Sequence, residues 1–542
     1  MYSAHIIQDS NSRMNVIIHN WQKNKFELAD GSTGPPNQTL QTLKWMPGDV
    51  ISSSWSVLKR TCGRVIGIVD VLNRTRFGTT ARGVPLYIMY PIDVTYPPFL
   101  VALKTKPDTN ILACVKYEHW DGLWPRAGFE RCIGPVGDLK SELNAMIQTL
   151  PPLPVHDAST QPHIPPPPTA DWDVVLHIDP PGCKDIDDVL CWKYKDSNNV
   201  VFGIGISDVA HWIAEGSELD RCAFERGATL YNEGVAIEPM FPTFISESLA
   251  SLRCDDTLRP VICLTFELTL HENVWRCSDF NGRWESHMLR VNESYTYESI
   301  TEHARAKEIR DFLGTVCGYV LSNDSHEWIE RAMILYNRRV AEELQHAGVG
   351  LLRIHTASAS ASETKTNEEY MTLAMETGCR EIGWLGASAG KYVDPRNNVG
   401  HTGLSLACYT HASSPIRRYV DLLNQRWIRA LKFGFPAPTL MCNPYEFNLR
   451  SKRIRRIERE LYFLTRVLHR ASCDGGDTLP SAIGYVIDSK PRVYVPDWKR
   501  VIVCRSAAAS GFAKGTCVRV RMYLDLHQAD WSRRFIYQVI SV

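Results

Sequence analysis

Hydrophobic and polar positions change their spacing several times along this 542-residue chain. From Met14 to about Leu58, short apolar runs such as Val16-Ile17-Ile18 alternate with turn text such as Asp30-Gly31-Ser32, and Pro47-Gly48-Asp49 feeds Val50-Ile51. This pattern predicts a small, partial or divergent cold-shock-type β-barrel over residues 1–58. Short runs at 65–69, 86–89 and 99–103, punctuated by Gly and Pro, predict a second barrel of the oligonucleotide-binding (OB) kind over 59–150. Strand text of this sort fits a packing module as well as a nucleic-acid binder. Ser141 to Leu150 reads as a short helix, and the prolines at 151–154 and 165–168 predict a stiff linker over 151–169.

The pattern then becomes mixed. Val174-Val175-Leu176, Val200 to Ile206 and Val261 to Leu270 are near-continuous apolar runs of strand length. Leu219 to Leu230, His326 to Leu344 and Glu368 to Thr377 have helical spacing, with Trp328, Ile329, Met333, Tyr336, Val340 and Leu344 forming one apolar stripe. Thr356 to Ser362 reads as a loop, and Pro415 is placed to open a helix near Ile416. A boundary in 474–477 precedes strands at 482–487, 492–495, 518–522 and 535–540, predicting a terminal S1-type barrel over 475–542. The expected architecture is multidomain α+β, in the order barrel, barrel, mixed α/β core over 170–474, barrel.

Charge narrows the partners. Basic and acidic residues balance at 60 each, so a nucleic-acid partner requires a local patch rather than a global field. The 16 cysteines are scattered without a C-x-x-C pair, which fits thiols in a reducing, intracellular compartment, cytoplasmic or nuclear. The opening MYSAHIIQDSNSR shows no clear targeting design, although it leaves an organellar leader open. No apolar stretch approaches the length of a membrane span.

The densest chemistry lies in HIDPPGCKDIDDVL (177–190), where Asp179, Asp185, Asp187 and Asp188 fall within ten positions. Facing carboxylates are costly without cations, and an all-oxygen set favours Mg2+ or Mn2+ over zinc. A solvated acidic turn or a structural calcium loop would explain the same spacing, though the full EF-hand pattern is missing. Arg417 and Arg418 follow His411-Ala412-Ser413-Ser414-Pro415, where they would clamp a phosphodiester or cap core carboxylates. Arg450, Lys452, Arg453, Arg455, Arg456 and Arg459 surround Glu458, giving either a solvated helical face or a track for nucleic acid.

Three passages read together carry a resemblance: HIDPPGCKDIDDVL (177–190), ISDVAHWIAEGSELDRCAFERGATLY (206–231) and YTHASSPIRRYVDLLNQR (409–426). They resemble the RNase II/RNB family of processive 3′-to-5′ exoribonucleases, most of all its eukaryotic Rrp44/Dis3 and Dis3-like branch. CGRVIGIV (62–69), DGLWPRAGF (121–129), WIERAMILYNRRVAEEL (328–344) and LLRIH (351–355) fit the same pattern. The resemblance implies cold-shock-type barrels, an RNB catalytic domain, an S1 barrel and a narrow channel for single-stranded RNA. It places magnesium, or manganese, on Asp179, Asp185, Asp187 and Asp188, and catalysis on Asp185, Asp187, Arg417 and Glu458. Tyr231 would stack on the 3′-terminal base, with Arg417 and Arg418 on the RNA. The implied reaction releases nucleoside 5′-monophosphates through water activated by divalent ions.

The implied protein is a monomeric catalytic chain without the family's N-terminal endonuclease domain, and membership of an RNA-decay complex such as the exosome is weakened. Two departures stand out: Gly205 and Gln425 occupy positions where the family commonly has histidine. The competing reading is a catalytically degenerate RNA-binding or regulatory protein on the same fold.

Overall fold

The computed structural model describes residues 14–28, 34–154, 164–355, 361–386, 389–439, 443–473, 481–488, 492–504, 512–530 and 533–541. The turn at 30–32, the middle of the proline linker at 155–163, the start of the loop at 356 and the boundary at 474–477 lie outside the described residues. Two compact units form: Met1–Leu150 with Glu368–Leu385 and Arg459–Val542, and Pro151–Asn367 with Gly386–Glu458.

In the first unit, the early alternation becomes a four-stranded sheet in the order 25–28, 14–20, 50–51, 57–59. Its inward positions, Val16, Ile18 and Ile51, pack with Trp21 and Trp45, each fully buried aliphatic side chain contributing about 1.5–3 kcal/mol. The next five strands, 64–70, 86–91, 99–102, 126–135 and 111–119, close into a barrel, as their spacing predicts. Helix Leu139–Ile147 follows, started by Asp138, whose carboxylate accepts the Ser141 N–H at 2.9 Å.

The C-terminal strands 500–503, 492–495, 481–486, 517–524 and 535–541 form an antiparallel sheet. Among the described residues its two edge strands are not paired with each other, so it stands as a sheet where the alternation predicts a barrel. Within this unit Arg534 reaches Glu142 through two hydrogen bonds of 2.6 and 2.8 Å, and both side chains are fully buried.

The second unit is built on a seven-stranded sheet. Its strand order is 274–277, 259–271, 199–207, 188–194, 174–178, 293–295, with 283–289 also paired to 259–271. Strand 174–178 runs parallel to 293–295 and antiparallel to 188–194. Helices Arg305–Cys317, Ser325–Ala347 and Tyr419–Phe433 cover one face through Trp192, Phe202, Phe266, Phe312, Trp328 and Ile428. The stripe at 328–344 is therefore core packing, as helical amphipathicity dictates.

One helix begins later than its sequence predicts, at Tyr419 rather than near Ile416. Backbone pairing with another segment explains the delay: the Thr229 N–H donates to Arg417 O at 2.9 Å, and the Tyr419 N–H to Gly227 O at 3.0 Å. Pro415 thus opens a turn whose polar groups are already committed. No described helix is long and apolar enough to cross a membrane.

Candidate active site

The acids are carried by the connection between two antiparallel strands. Pro180-Pro181-Gly182-Cys183 turns the chain: the Cys183 N–H donates to Pro180 O at 3.1 Å, and Gly182 sits at φ +82°, where a side chain would be strained. Asp179 directly follows the first strand and Asp188 begins the second. This bend is what lets neighbouring aspartates share a region. Ser251 fixes the loop from the side, accepting the Ile186 N–H at 3.1 Å and donating to Lys184 O at 2.6 Å.

Asp187 is 4% exposed and lies at the meeting point of distant segments. Its Oδ1 accepts the Ile416 N–H at 2.9 Å, and Arg417 Nε stands 3.4 Å from Oδ2. Oδ2 is buried without a hydrogen-bond partner. Burial pushes the Asp187 carboxyl well above the usual range; Arg417 and the Ile416 N–H draw it down, while Asp185 and Asp188 push it up. Burial, and then the charge of Asp179, likewise push Asp188 up to about 8.

Tyr231 joins this group by donating its hydroxyl to Asp185 Oδ2, and its own N–H donates to Glu458 Oε1 at 3.3 Å. Burial first, and then Asp185, hold the phenol in its protonated form. Asp185, Asp187, Tyr231, Arg417 and Glu458 are therefore gathered from four separate stretches of sequence. Asp179 Oδ2 lies 3.0 Å from His177 Nδ1. Arg418 makes 2.8 and 2.9 Å hydrogen bonds to Asp421, the carboxylate-capping alternative for that residue, and lines the same cavity as Tyr231 and Arg417. The Ile416 N–H, a candidate phosphate donor if a helix had begun there, is spent on Asp187.

Tyr231, Arg417 and Glu458 line a cavity of about 230 Å³. Arg353, His411, Arg450 and Arg455 line it too, so cations dominate its wall. Part of the arginine run after 450 thus faces a cavity that Ile454 also lines, while Ile457 on the same helix is buried. Burial and the neighbouring arginines lower the His411 pKa, so that ring is neutral; its Nδ1 lies 2.7 Å from the Tyr392 hydroxyl.

Two asparagines that sequence reading passes over hold the loop before Arg417. Asn337 Oδ1 accepts the Ala412 N–H at 2.8 Å, and Asn424 Nδ2 donates to Thr410 Oγ1 and His411 O at 2.9 and 3.0 Å. A buried amide on an otherwise apolar helix face was the available signal for Asn337.

The two departures have local explanations. A Cβ on Gly205 would come within 2.9 Å of Val189 Cγ2 and 3.2 Å of Cys263 Sγ, so the sheet is packed against a bare backbone there. Gln425, 2% exposed, accepts the Ala210 N–H at 3.1 Å and donates to Ser207 O at 2.7 Å. It pins the turn that follows strand 199–207. Gln425→Ala is expected to cost about 2–4 kcal/mol by leaving both backbone groups buried and unpaired. Chemical denaturation of the full chain measures that loss, and a shift under about 0.5 kcal/mol would show the bridge to be dispensable.

Donor chemistry at the acid loop suits a hard divalent cation: carboxylate oxygens only, raised carboxyl pKa values, and an orphaned Oδ2 on Asp187. Among the described residues, however, no three such side chains are gathered closely enough to form a finished metal cage.

Residues 172–311 and 283–434 match the RNB domain. This RNB region contains the acid loop, Tyr231 and Arg417. Among curated proteins, Ribonuclease R of Chlamydia muridarum is 28% identical over 307 residues, covering 44% of this chain and 43% of that protein. Exoribonuclease 2 of Salmonella enteritidis is 28% identical over 312 residues, covering 46% and 48%. The chain thus matches somewhat less than half the length of these relatives. Among solved structures, Mycoplasma genitalium RNase R, in complex with ribose-methylated single-stranded RNA, superimposes with a TM-score of 0.68 at 15% identity, covering 98% of this chain and 100% of that one. Yeast Ssd1, a pseudonuclease, gives 0.63 at 13% identity, covering 93% and 80%. At such identities the likeness is one of fold.

Proposed function

We propose that this chain is a member of the RNase II/RNB family, near its Dis3-like branch. Its activity is that of a processive 3′-to-5′ exoribonuclease releasing nucleoside 5′-monophosphates from single-stranded RNA. One observation carries the reading: the Ile416 N–H and the Arg417 guanidinium close on Asp187, more than two hundred positions earlier in the chain, beside Tyr231 and Glu458. Core packing alone supplies no reason to bury a crowded carboxylate there.

Asp179, Asp185, Asp187 and Asp188 would hold Mg2+ or Mn2+, which when bound supplies Lewis-acid polarisation and a more acidic water. The chain's own groups do the positioning. Arg417 is 43% exposed on its side chain, so N–H groups beyond the one near Asp187 remain available to a phosphate oxygen. The Ile416 N–H holds the Asp187 carboxylate in place, and the Tyr231 hydroxyl holds Asp185. The Tyr231 ring lines the cavity where a terminal base would stack, and sequence-tolerant stacking suits processive release of every nucleotide.

Tyr231→Ala is expected to weaken binding of single-stranded RNA in chelator by about 5- to 150-fold, the range for one lost base–aromatic stack. Tyr231→Phe, which keeps the ring, is expected to retain affinity. Fluorescence anisotropy on both variants separates the two roles, and equal losses would assign the residue to the Asp185 bond instead.

A second reading is a non-catalytic RNA-binding protein, favoured by the fold likeness to the pseudonuclease Ssd1 and by the unfinished metal cage. A time course on 5′-labelled single-stranded RNA decides between them. Mononucleotides that appear with magnesium and not with chelator support catalysis; intact RNA in both supports the binder. An intracellular, cytoplasmic or nuclear site of action, as a single catalytic chain on RNA, completes the proposal.

A further inference from the structure

The second unit holds a larger cavity on the face of its sheet that the three helices leave uncovered. Side chains alternate along a strand, so Trp192, Phe202 and Leu264 pack under the helices while Lys193, Val201 and Thr265 belong to the other face. These last three line a cavity of about 380 Å³, together with Trp172, Arg283 and His287. That volume is within the range of small-molecule sites. Every residue lining it belongs to the second unit, and none lines the cavity beside Arg417.

Bare backbone lets Trp172 settle on the sheet. Gly203 stands between Cys191 and Thr265 in the ladder, and a Cβ there would come within 2.8 Å of Cys191 Sγ and 3.4 Å of Trp172 Cη2. Trp172 and His287 meet edge to face, with ring centroids 6.4 Å apart and planes at 73°. Each carries a buried nitrogen with no hydrogen-bond partner among the described residues, Nε1 of Trp172 and Nδ1 of His287. The other His287 nitrogen lies 3.0 Å from Glu285 Oε2, and this bond is the largest cause holding the Glu285 carboxyl below its ordinary value. A carboxylate only accepts, so Nε2 carries the proton and, in the neutral ring, Nδ1 offers a lone pair. An indole donor and an imidazole acceptor are thus left unpaired on one cavity, which is unfavourable unless something polar meets them.

The rim is ionic. Asp171 holds Lys193 at 3.0 Å, whereas one carboxylate oxygen of Glu267 is shared by Lys195 and Arg283, at 3.0 and 3.5 Å. Asp279, the remaining acid of the lining, accepts the Asn281 N–H at 2.9 Å. Arg283 is 72% exposed on its side chain, so its guanidinium can reach an anion at the mouth. We propose that this cavity binds a nucleoside 5′-monophosphate, its base against Trp172 and His287 and its phosphate on Lys195 and Arg283. Base edges present donors and acceptors next to one another, which is what the two unpaired nitrogens require. Val201 and the indole supply apolar surface for the ring. An extended peptide also brings N–H and C=O groups, but it is taken up along a strand edge rather than in a hollow on a sheet face, and it brings no phosphate to the shared cations. The assignment goes beyond the exoribonuclease reading and stands without it.

The test uses the full chain in chelator, with adenosine 5′-monophosphate as the probe and the tryptophan indole N–H resonances followed by heteronuclear NMR. The Trp172 resonance, identified by its loss in Trp172→Phe, is expected to shift saturably with a Kd below about 1 mM. Adenosine should shift it as well, whereas inorganic phosphate should leave it in place. Lys195→Gln with Arg283→Gln, at half-exposed and exposed positions of the rim, should weaken the monophosphate about 10-fold and leave adenosine unchanged. Trp172→Phe keeps an aromatic ring and removes the donor, so calorimetry should show both ligands weakened by about 2- to 12-fold. Tyr231→Ala, in the other cavity, serves as control and should leave the Trp172 shift as it is. Binding of the monophosphate with the Trp172 resonance unmoved would overturn the proposal, as would a shift reproduced by inorganic phosphate or no binding at all. If the resonance shifts but magnesium never yields mononucleotides from RNA, the cavity's assignment stands and only the nuclease reading fails.

Discussion

Asp187→Asn is expected to leave RNA affinity nearly unchanged while lowering mononucleotide release by on the order of 10³-fold or more, the scale of removing one preorganised charge from a water-poor site. The isosteric amide can keep its carbonyl oxygen on the Ile416 N–H, so the loop's shape should survive. It also removes the charge that Arg417 faces. Measured separately, binding in chelator and turnover in magnesium should part company; turnover within a few-fold of wild type would sink the exoribonuclease assignment.

Stability supplies an independent check on the same residue. Because burial raises the Asp187 pKa in the fold, its protonated form is favoured there: this stability is complete below the unfolded value near 3.8 and is lost as pH rises towards the folded pKa. In chelator, Asp187→Asn should therefore melt above wild type, by a margin that grows from acid to neutral pH. A margin independent of pH would mean that the carboxylate is not strained in the absence of a cation.

Arg534→Met is expected to destabilise the first unit by about 3–5 kcal/mol, because it strands Glu142 in a fully buried position. Glu142 would keep only the Gly137 N–H, at 2.8 Å, in place of the two guanidinium bonds. The double variant E142L/R534M should recover much of that loss, since replacing both charges removes the desolvation cost along with the attraction. Denaturant titration of the three variants reads the difference directly. A double variant as unstable as the single would place the cost in packing geometry instead of in the uncompensated charge.

Legibility followed the physics of each signal. The acid loop, the turn at Pro180-Pro181-Gly182, the barrel at 64–135 and the stripe of helix Ser325–Ala347 depend on neighbouring residues, so local spacing announces them. Element ends were less legible. The helix expected near Ile416 starts at Tyr419 because residues 227–229 compete for its backbone, and nothing local records that partner. Arg417 and Arg418 are adjacent and chemically alike, yet one faces Asp187 and the other is taken by Asp421.

By itself the amino-acid order determined which carboxylates are crowded, where the chain must bend, and which segments are strands or helices, because spacing and backbone preference act over a few residues. Only the folded chain decided that Ser251 and Gln425 brace the site and that Tyr231 meets Asp185. Those pairings join residues tens to hundreds of positions apart. They arise from how sheets and helices pack, and packing leaves no periodic mark on the sequence.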